Sequence, residues 1–367
     1  MGLSIKVISN PAELLELEHP WNHAVKKYSG NPFLYNRLLA DLMYNSMDMG
    51  WTPLLFTLWS DDLLIGAAPL SLRKMRFSNY ACNLDGNLYP PCVFNEKYRE
   101  FFYTQLLTCL HSRHKCQSVI ITFDAKSADL NVFKKVCEAR KLGIRFSKGN
   151  GRAIIAVTDS FDVFYSSLNR NIRKEFRRLQ RRLDKLGSWK ISCSGIDSNS
   201  AKKILDIDKS SWKTTWRSKR NIPNDSGLHS LLKVSQQTDC HEQLYSTKVW
   251  FLEVNQQPIA FQMVIFYKST AVFIKTSFNN KFKKCSPGKF LMNAVIKESF
   301  SAEAVKRIDF STNLPVVKAW NTQCEERTDV HVQRDSVLSK LAGFWMKNRL
   351  IQKCVKIGNK TGLSDTA

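Results

Sequence analysis

The segment Phe282-Lys283-Lys284-Cys285-Ser286-Pro287-Gly288-Lys289 contains the residue types from which a phosphate site is built. A helix opening at Pro287 leaves its first N–H groups unpaired and turns the positive end of its dipole toward the loop. A glycine lets a ligand approach the backbone, and the lysines add charge. Lys284, Cys285, Ser286, Gly288 and Lys289 are therefore expected to hold an anion of pyrophosphate size. An ordinary loop whose proline starts a helix uses the same letters, so this loop gains meaning only from its surroundings. A second anion-seeking element lies upstream. From Asp162 to Leu186 the residues Phe164, Leu168, Ile172, Phe176, Leu179, Leu183 and Leu186 fall on one helical stripe, which predicts a continuous helix ended by Gly187. Arg170, Arg173, Lys174, Arg177, Arg178, Arg181, Arg182 and Lys185 occupy the rest of its surface. Three readings stay open for 169–186: contact with an anionic membrane surface or tRNA, closure over the phosphates of a ligand, or a solvated face.

Cys109, His111, His114 and Cys116 are four candidate metal ligands close together in sequence. On a helix the two cysteines share a face while the histidines project elsewhere, so tetrahedral convergence would require unwinding. No metal is expected. Neither Cys285 nor Cys324 lies in a recognisable thiol-enzyme signature.

The elements that position these residues follow from periodicity and turn chemistry. Trp51 to Trp59 and Leu63 to Leu72 read as a hairpin closed by Ser60-Asp61-Asp62. A helix from Glu96 to Arg113, a strand from Ser118 to Phe123 and a helix from Leu130 to Arg140 follow. In the second half, Lys248 to Val254, Ile259 to Tyr267 and Ala271 to Ser277 are written as an antiparallel meander. After it come the basic loop, a helix to Phe300, a strand at Arg307 to Ser311, a helical turn at Pro315 to Trp320, a strand at Asp329 to Gln333, and a helix from Leu338 to Ile351. Strand, turn and apolar strand occur in both halves, which agrees with a duplicated fold.

The 367 residues suit two domains, with expected boundaries at 1–158, 159–357 and a disordered tail at 358–367. The 43% apolar and 24% charged residues exclude a disordered chain, and the net charge of +23 calls for anionic partners: nucleic acid, a membrane surface, or a phosphorylated ligand. No apolar run of membrane-spanning length and no secretory leader is evident, and the ten cysteines include no CxxC pair. The expected setting is the cytoplasm, with the inner membrane face as a peripheral station.

The order of meander, Ser286-Pro287-Gly288 loop, helix and Asp309-Phe310 strand, with the basic helix Asn169 to Leu186, the Trp212-Lys213 pair and Lys318 near Trp320, resembles GNAT acyltransferases. The likeness is greatest to the BioF2-like, cellulose-biosynthesis-protein-like (CelD-like) branch, and extends to the tandem arrangement of FemABX-type transferases. It covers Asp162 to Val332. The pattern departs from that branch at Phe278-Asn279, where a Tyr-Asp is common, and at Ser311 to Val317, where a glycine-rich turn is common.

The resemblance implies an α/β fold with mixed sheets, a tandem GNAT-like acyl-CoA N-acyltransferase whose N-terminal domain is degenerate. It implies acetyl-CoA or another acyl-CoA as co-substrate, with its pyrophosphate at Lys284 to Lys289 and its carbonyl polarised by backbone N–H groups of Ala271 to Ser277. Asp309 would act as base and Lys318 would hold an anionic acceptor or acyl group. Trp212, Lys213 and Trp216 would line the pocket of a small acceptor, an amino sugar or envelope precursor. Two alternatives remain open: an aminoacyl-tRNA-dependent transferase of FemABX type, and a non-catalytic binding protein that keeps the fold. The sequence leaves the oligomeric state undetermined.

Overall fold

The computed structural model describes residues 2–29, 31–75, 78–84, 90–214, 232–235 and 245–334. It divides into two compact units, each with its own sheet. The first comprises 1–9, 46–149 and 328–367, and the second 10–45 and 150–327. This interleaving replaces the single boundary expected at 158/159, for two reasons. The late strand Arg327–Gln333, expected within the C-terminal domain, pairs with Gly143–Lys148 of the first unit. The early helices Pro11–Glu16, Glu18–Tyr28 and Asn36–Asp48 belong to the second, where the Tyr267 hydroxyl lies 3.0 Å from both the Val25 and Ser29 carbonyls. Neither those helices nor the first strand, Leu3–Ile8, was evident in the sequence. The expected C-terminal helix and tail lie outside the described residues.

In the first unit the strands are β1 (Leu3–Ile8), β2 (Thr52–Ser60), β3 (Leu63–Met75), β4 (Ser78–Asn83), β5 (Cys92–Val93), β6 (Cys116–Asp124), β7 (Gly143–Lys148) and β15 (Arg327–Gln333). They run in the order β1-β2-β3-β4-β6-β15-β7, with β5 on β3. The second sheet contains β8 (Arg152–Ala156), β9 (Trp189–Ser194), β10 (Ser246–Val254), β11 (Gln257–Tyr267), β12 (Thr270–Phe278), β13 (Arg307–Asp309) and β14 (Gln323–Glu325), in the order β14-β8-β13-β12-β11-β10-β9.

The units repeat one motif. Strands β2, β3 and β4 form an antiparallel meander, a helix at Arg99–Thr108 follows, and β6 pairs parallel with β4. Strands β10, β11 and β12 do the same, a helix at Pro287–Ser301 follows, and β13 pairs parallel with β12. The hairpins were predicted to within a few residues because alternation and turn residues mark them.

The parallel pairs differ. The β4–β6 pairing runs from Asn79 to Cys82, nearly the whole of β4, and the Asn83 side chain closes its end by accepting the Thr122 N–H at 2.9 Å. The β12–β13 pairing stops at Val272–Asp309, while β12 continues to Phe278. Among the described residues, no strand pairs with β12 beyond Val272 on its β13 side, whereas the corresponding ladder of the first unit runs nearly the length of β4.

The predicted helix 162–186 is two helices, Phe161–Ser167 and Arg170–Asp184. Leu168 takes extended backbone with its side chain in the core. Asn169 then caps the second helix by accepting the Asn171 N–H at 2.8 Å. Asparagine competes for helix N–H groups with its own side chain, so it starts a helix better than it continues one.

The helix predicted from Glu96 to Arg113 finishes in a π-turn over Cys109–Arg113 that buries Leu110 and His111. Burial, with Arg334 and Arg140 nearby, lowers the His111 imidazole from its ordinary 6.5 to about 4, and burial pushes the Cys116 thiol up to about 12. Below pH 6.5 the unfolded chain takes up a proton that the folded His111 refuses until about pH 4, so stability falls across that window as the pH drops. Melting temperatures recorded between pH 7 and pH 4 should decline in the parent, and the His111→Gln variant should decline less. Among the described residues no cluster of three or more His, Cys, Asp or Glu could hold a metal ion, and no helix is long and apolar enough to cross a membrane.

Candidate active site

The second unit's core is the face of β8 and β10 to β13 covered by the helices Arg170–Asp184 and Pro287–Ser301. Phe176, Leu179 and Leu183 of the basic helix enter it, as do Leu291, Met292, Val295 and Ile296 of the other. At the centre stands Trp320, fully buried. It packs on Phe310 (6.2 Å between ring centroids) and Phe176 (5.7 Å), with its indole N–H 3.3 Å from Asn293 Oδ1.

The predicted phosphate loop leaves β12 as a 3-10 turn, Asn280–Cys285, and enters the 15-residue helix at Pro287. Ser286 makes the corner in left-handed backbone, with φ 44° and ψ 54°. Its carbonyl takes the Lys289 and Phe290 N–H groups at 3.0 and 3.2 Å. The Gly288 N–H donates to no acceptor among the described residues, and proline at 287 has none to offer. Gly288 is buried against β12. A Cβ there would lie 3.2 Å from Phe278 Cδ1 and 3.4 Å from Thr276 Oγ1, so the helix start rests on the strand's last residues.

The other loop residues separate into two groups. Lys281, Lys283 and Lys284 are exposed. Lys289 instead binds Glu175 at 2.6 Å and lies over the Phe176 ring, and the Cys285 thiol is buried, with its S–H toward the Arg182 carbonyl. Arg182 returns the contact by donating to the Lys284 carbonyl at 2.7 Å. The basic helix therefore braces the loop directly.

Strand β12 carries a bulge beside this loop. Met263 pairs with Lys275 but Val264 pairs with Phe273, which leaves Ile274 as an additional residue. The bulge begins just past the last β13 pair. Lys213 reaches the same stretch, and its ammonium donates to the Thr276 carbonyl. Trp212 beside it is about one-third exposed, at 37%. Trp216 lies outside the described residues.

Asp309 and Lys318 are not drawn into this arrangement in the same way. Asp309 is 4% exposed and both its oxygens are engaged: Oδ1 accepts the Ser311 N–H at 2.7 Å, and Oδ2 faces Arg152 at 3.3 Å and Arg307 at 3.7 Å. Arg307 also makes two 2.6 Å bonds to Glu325, which hold that carboxyl below its ordinary value. These four side chains link the ends of β8, β13 and β14. Lys318 is exposed at the end of the turn Pro315–Lys318. Sequence reading missed Arg152, Glu325, Thr276 and Gln262. Only Gln262 left a readable sign there, as a lone amide between Ala260 and Val264 on an apolar strand.

Comparison with known proteins agrees with this topology. Residues 170–315 match the family described as "Acetyltransferase (GNAT) domain". No curated protein matches the chain. Among solved structures, FemX is similar at a TM-score of 0.58 and 11% identity over 89% of this chain and 96% of that one. L-PGS from Bacillus licheniformis is similar at 0.54 and 12% over 91% and 96%. The C-terminal domain of a putative lysylphosphatidylglycerol synthetase from Agrobacterium fabrum is similar at 0.52 and 12% over 90% and 95%. At such identities the likeness is one of fold. The chain has an α/β fold of two units that repeat one meander, helix and parallel-strand motif, and the segment that matches the GNAT family lies in its second unit.

Proposed function

We propose that the protein is an acyl-CoA-dependent N-acyltransferase, an acetyltransferase in its simplest form, acting directly on an amine of a sugar or envelope precursor. One observation carries this reading. At the end of β12 a strand bulge, an outer edge that no described strand pairs with beyond Val272, and a Gly288 N–H without an acceptor among the described residues, near exposed lysines, occur together. Coenzyme A has a pyrophosphate at one end and a thioester at the other, and would span such an edge with the phosphates on the loop.

The amine lone pair attacks the thioester carbon and the carbonyl electrons collect on oxygen. Collapse then expels coenzyme A as thiolate, while the amine proton passes to water. Backbone N–H groups at the β12 bulge stabilise the oxyanion, an interaction stronger in the transition state than in the substrate. Lys213 and Trp212 border the acceptor side in this reading. Asp309, with both oxygens engaged, fixes the end of β13 in place of taking a proton, and Lys318 meets anionic groups of the acceptor. The cytoplasm supplies acyl-CoA, and the basic helix can face an anionic membrane.

A second reading, aminoacyl transfer from tRNA, is favoured by the solvent face of the basic helix. Arg170, Lys174, Arg177, Arg178 and Arg181 are all exposed on one side, over about 16 Å of helix. The experiment that separates the two is binding of acetyl-CoA against binding of tRNA. Saturable acetyl-CoA binding supports the first, and tRNA affinity that falls steeply with salt supports the second. A folded sample that binds neither is a non-catalytic relative.

A further inference from the structure

The basic helix Arg170–Asp184 is tied to the proposed pyrophosphate loop at two points. Glu175 binds Lys289 at 2.6 Å, and Arg182 donates to the Lys284 carbonyl at 2.7 Å. Between those tethers the loop passes through Ser286, Pro287 and Gly288, and the Gly288 N–H donates to no acceptor among the described residues. Over the same stretch the helix advances seven residues, about 10 Å. Arg178, three residues after Glu175 and four before Arg182, falls on the same side of the helix midway along it.

Arg178 is exposed and has no ion-pair or hydrogen-bond partner among the described residues. Its neighbours four residues away in either direction, Lys174 and Arg182, are cationic, and Glu175, the one carboxylate within a turn of it, is taken by Lys289. Like charges at that spacing weaken a helix, so helix stability gives no reason for a guanidinium here. A bound anion supplies one. A pyrophosphate at the Gly288 N–H would bring the ribose that coenzyme A attaches to it alongside this part of the helix. That ribose has its own 3′-phosphate, close to dianionic at neutral pH, and a guanidinium binds phosphate through two parallel N–H donors.

We propose that Arg178 is a specificity residue that binds the 3′-phosphate of coenzyme A, so that the protein favours acyl-CoA over thioesters lacking that phosphate. The inference rests on the acyl-CoA reading and adds a contact that the loop itself does not supply.

Binding of acetyl-CoA and of 3′-dephospho-acetyl-CoA is measured by calorimetry at low salt for the parent, Arg178→Gln, Arg178→Lys and Lys202→Gln. Lys202 is exposed on the helix Ser198–Lys209, so its variant removes the same charge elsewhere. A charge-assisted bond at an exposed site should make the parent favour acetyl-CoA about tenfold. Arg178→Gln should erase that preference by weakening acetyl-CoA alone, with the Kd of the 3′-dephospho ligand changed less than about twofold. Arg178→Lys should keep part of the preference and Lys202→Gln all of it. Equal melting temperatures establish that the variants are folded. A parent that binds both ligands equally overturns the inference and leaves the acyl-CoA reading standing. A preference that survives Arg178→Gln, or one lost equally in Lys202→Gln, overturns the assignment to Arg178. A folded parent that binds neither ligand overturns the acyl-CoA reading, and the inference falls with it.

Discussion

Asp309→Asn should lower the stability of the second unit by about 2–3 kcal/mol, visible as a melting temperature lower by roughly 4 to 12 °C. The carboxylate is buried between Arg152 and Arg307, and breaking a buried pair usually costs more. Glu325 still faces both guanidinium groups, however, and Asn can still accept the Ser311 N–H. The same variant separates brace from base. A brace predicts that kcat falls less than about tenfold, with an unshifted pH profile, alongside the lowered melting temperature. A general base predicts the reverse: a near-parental melting temperature and a rate loss of about 100-fold or more.

Trp320→Ala should have the larger effect on folding, about 3–5 kcal/mol or roughly 6 to 20 °C. The indole is fully buried and meets three separate segments: Phe310 after β13, Phe176 on the basic helix, and Asn293 on the helix that begins at the loop. Its removal leaves a cavity that those segments cannot all close. Urea denaturation would measure the loss. A change below about 1 kcal/mol would mean that the three segments are held by other contacts.

The sequence was legible where local chemistry decides structure. The first-half hairpin, the second-half meander, the proline-led helix and the basic helix face follow from alternation, turn residues and helical spacing, and all four are present, whereas β4, which extends the hairpin to a meander, was not legible. The loop's role as a helix N-terminus could be foreseen from Ser286-Pro287-Gly288 alone. The attachment of its side chains could not, because Glu175 and Arg182 reach it from another element. Lys289, named as a phosphate ligand, is an ion-pair partner, and Cys285 is core.

Asp309 was legible as a polar residue in a strand, but its partners Arg152 and Glu325 come from strands distant in the chain. The interleaving of the two units was hidden for the same reason: the pairing of β15 with β7 is set by long-range register and carries no local signal. The bulge on β12 leaves no glycine behind, so only the ladder reveals it.

The most direct measurement is calorimetric titration of acetyl-CoA into the parent and into Lys284→Glu. Lys284 is exposed on the loop and its carbonyl, not its ammonium, makes the Arg182 contact, so the substitution should leave the fold intact. Saturable binding by the parent, weakened at least tenfold by the reversed charge, is the expected result. No binding by a folded parent, or equal binding by both proteins, would contradict the placement of an acyl-CoA pyrophosphate at this loop.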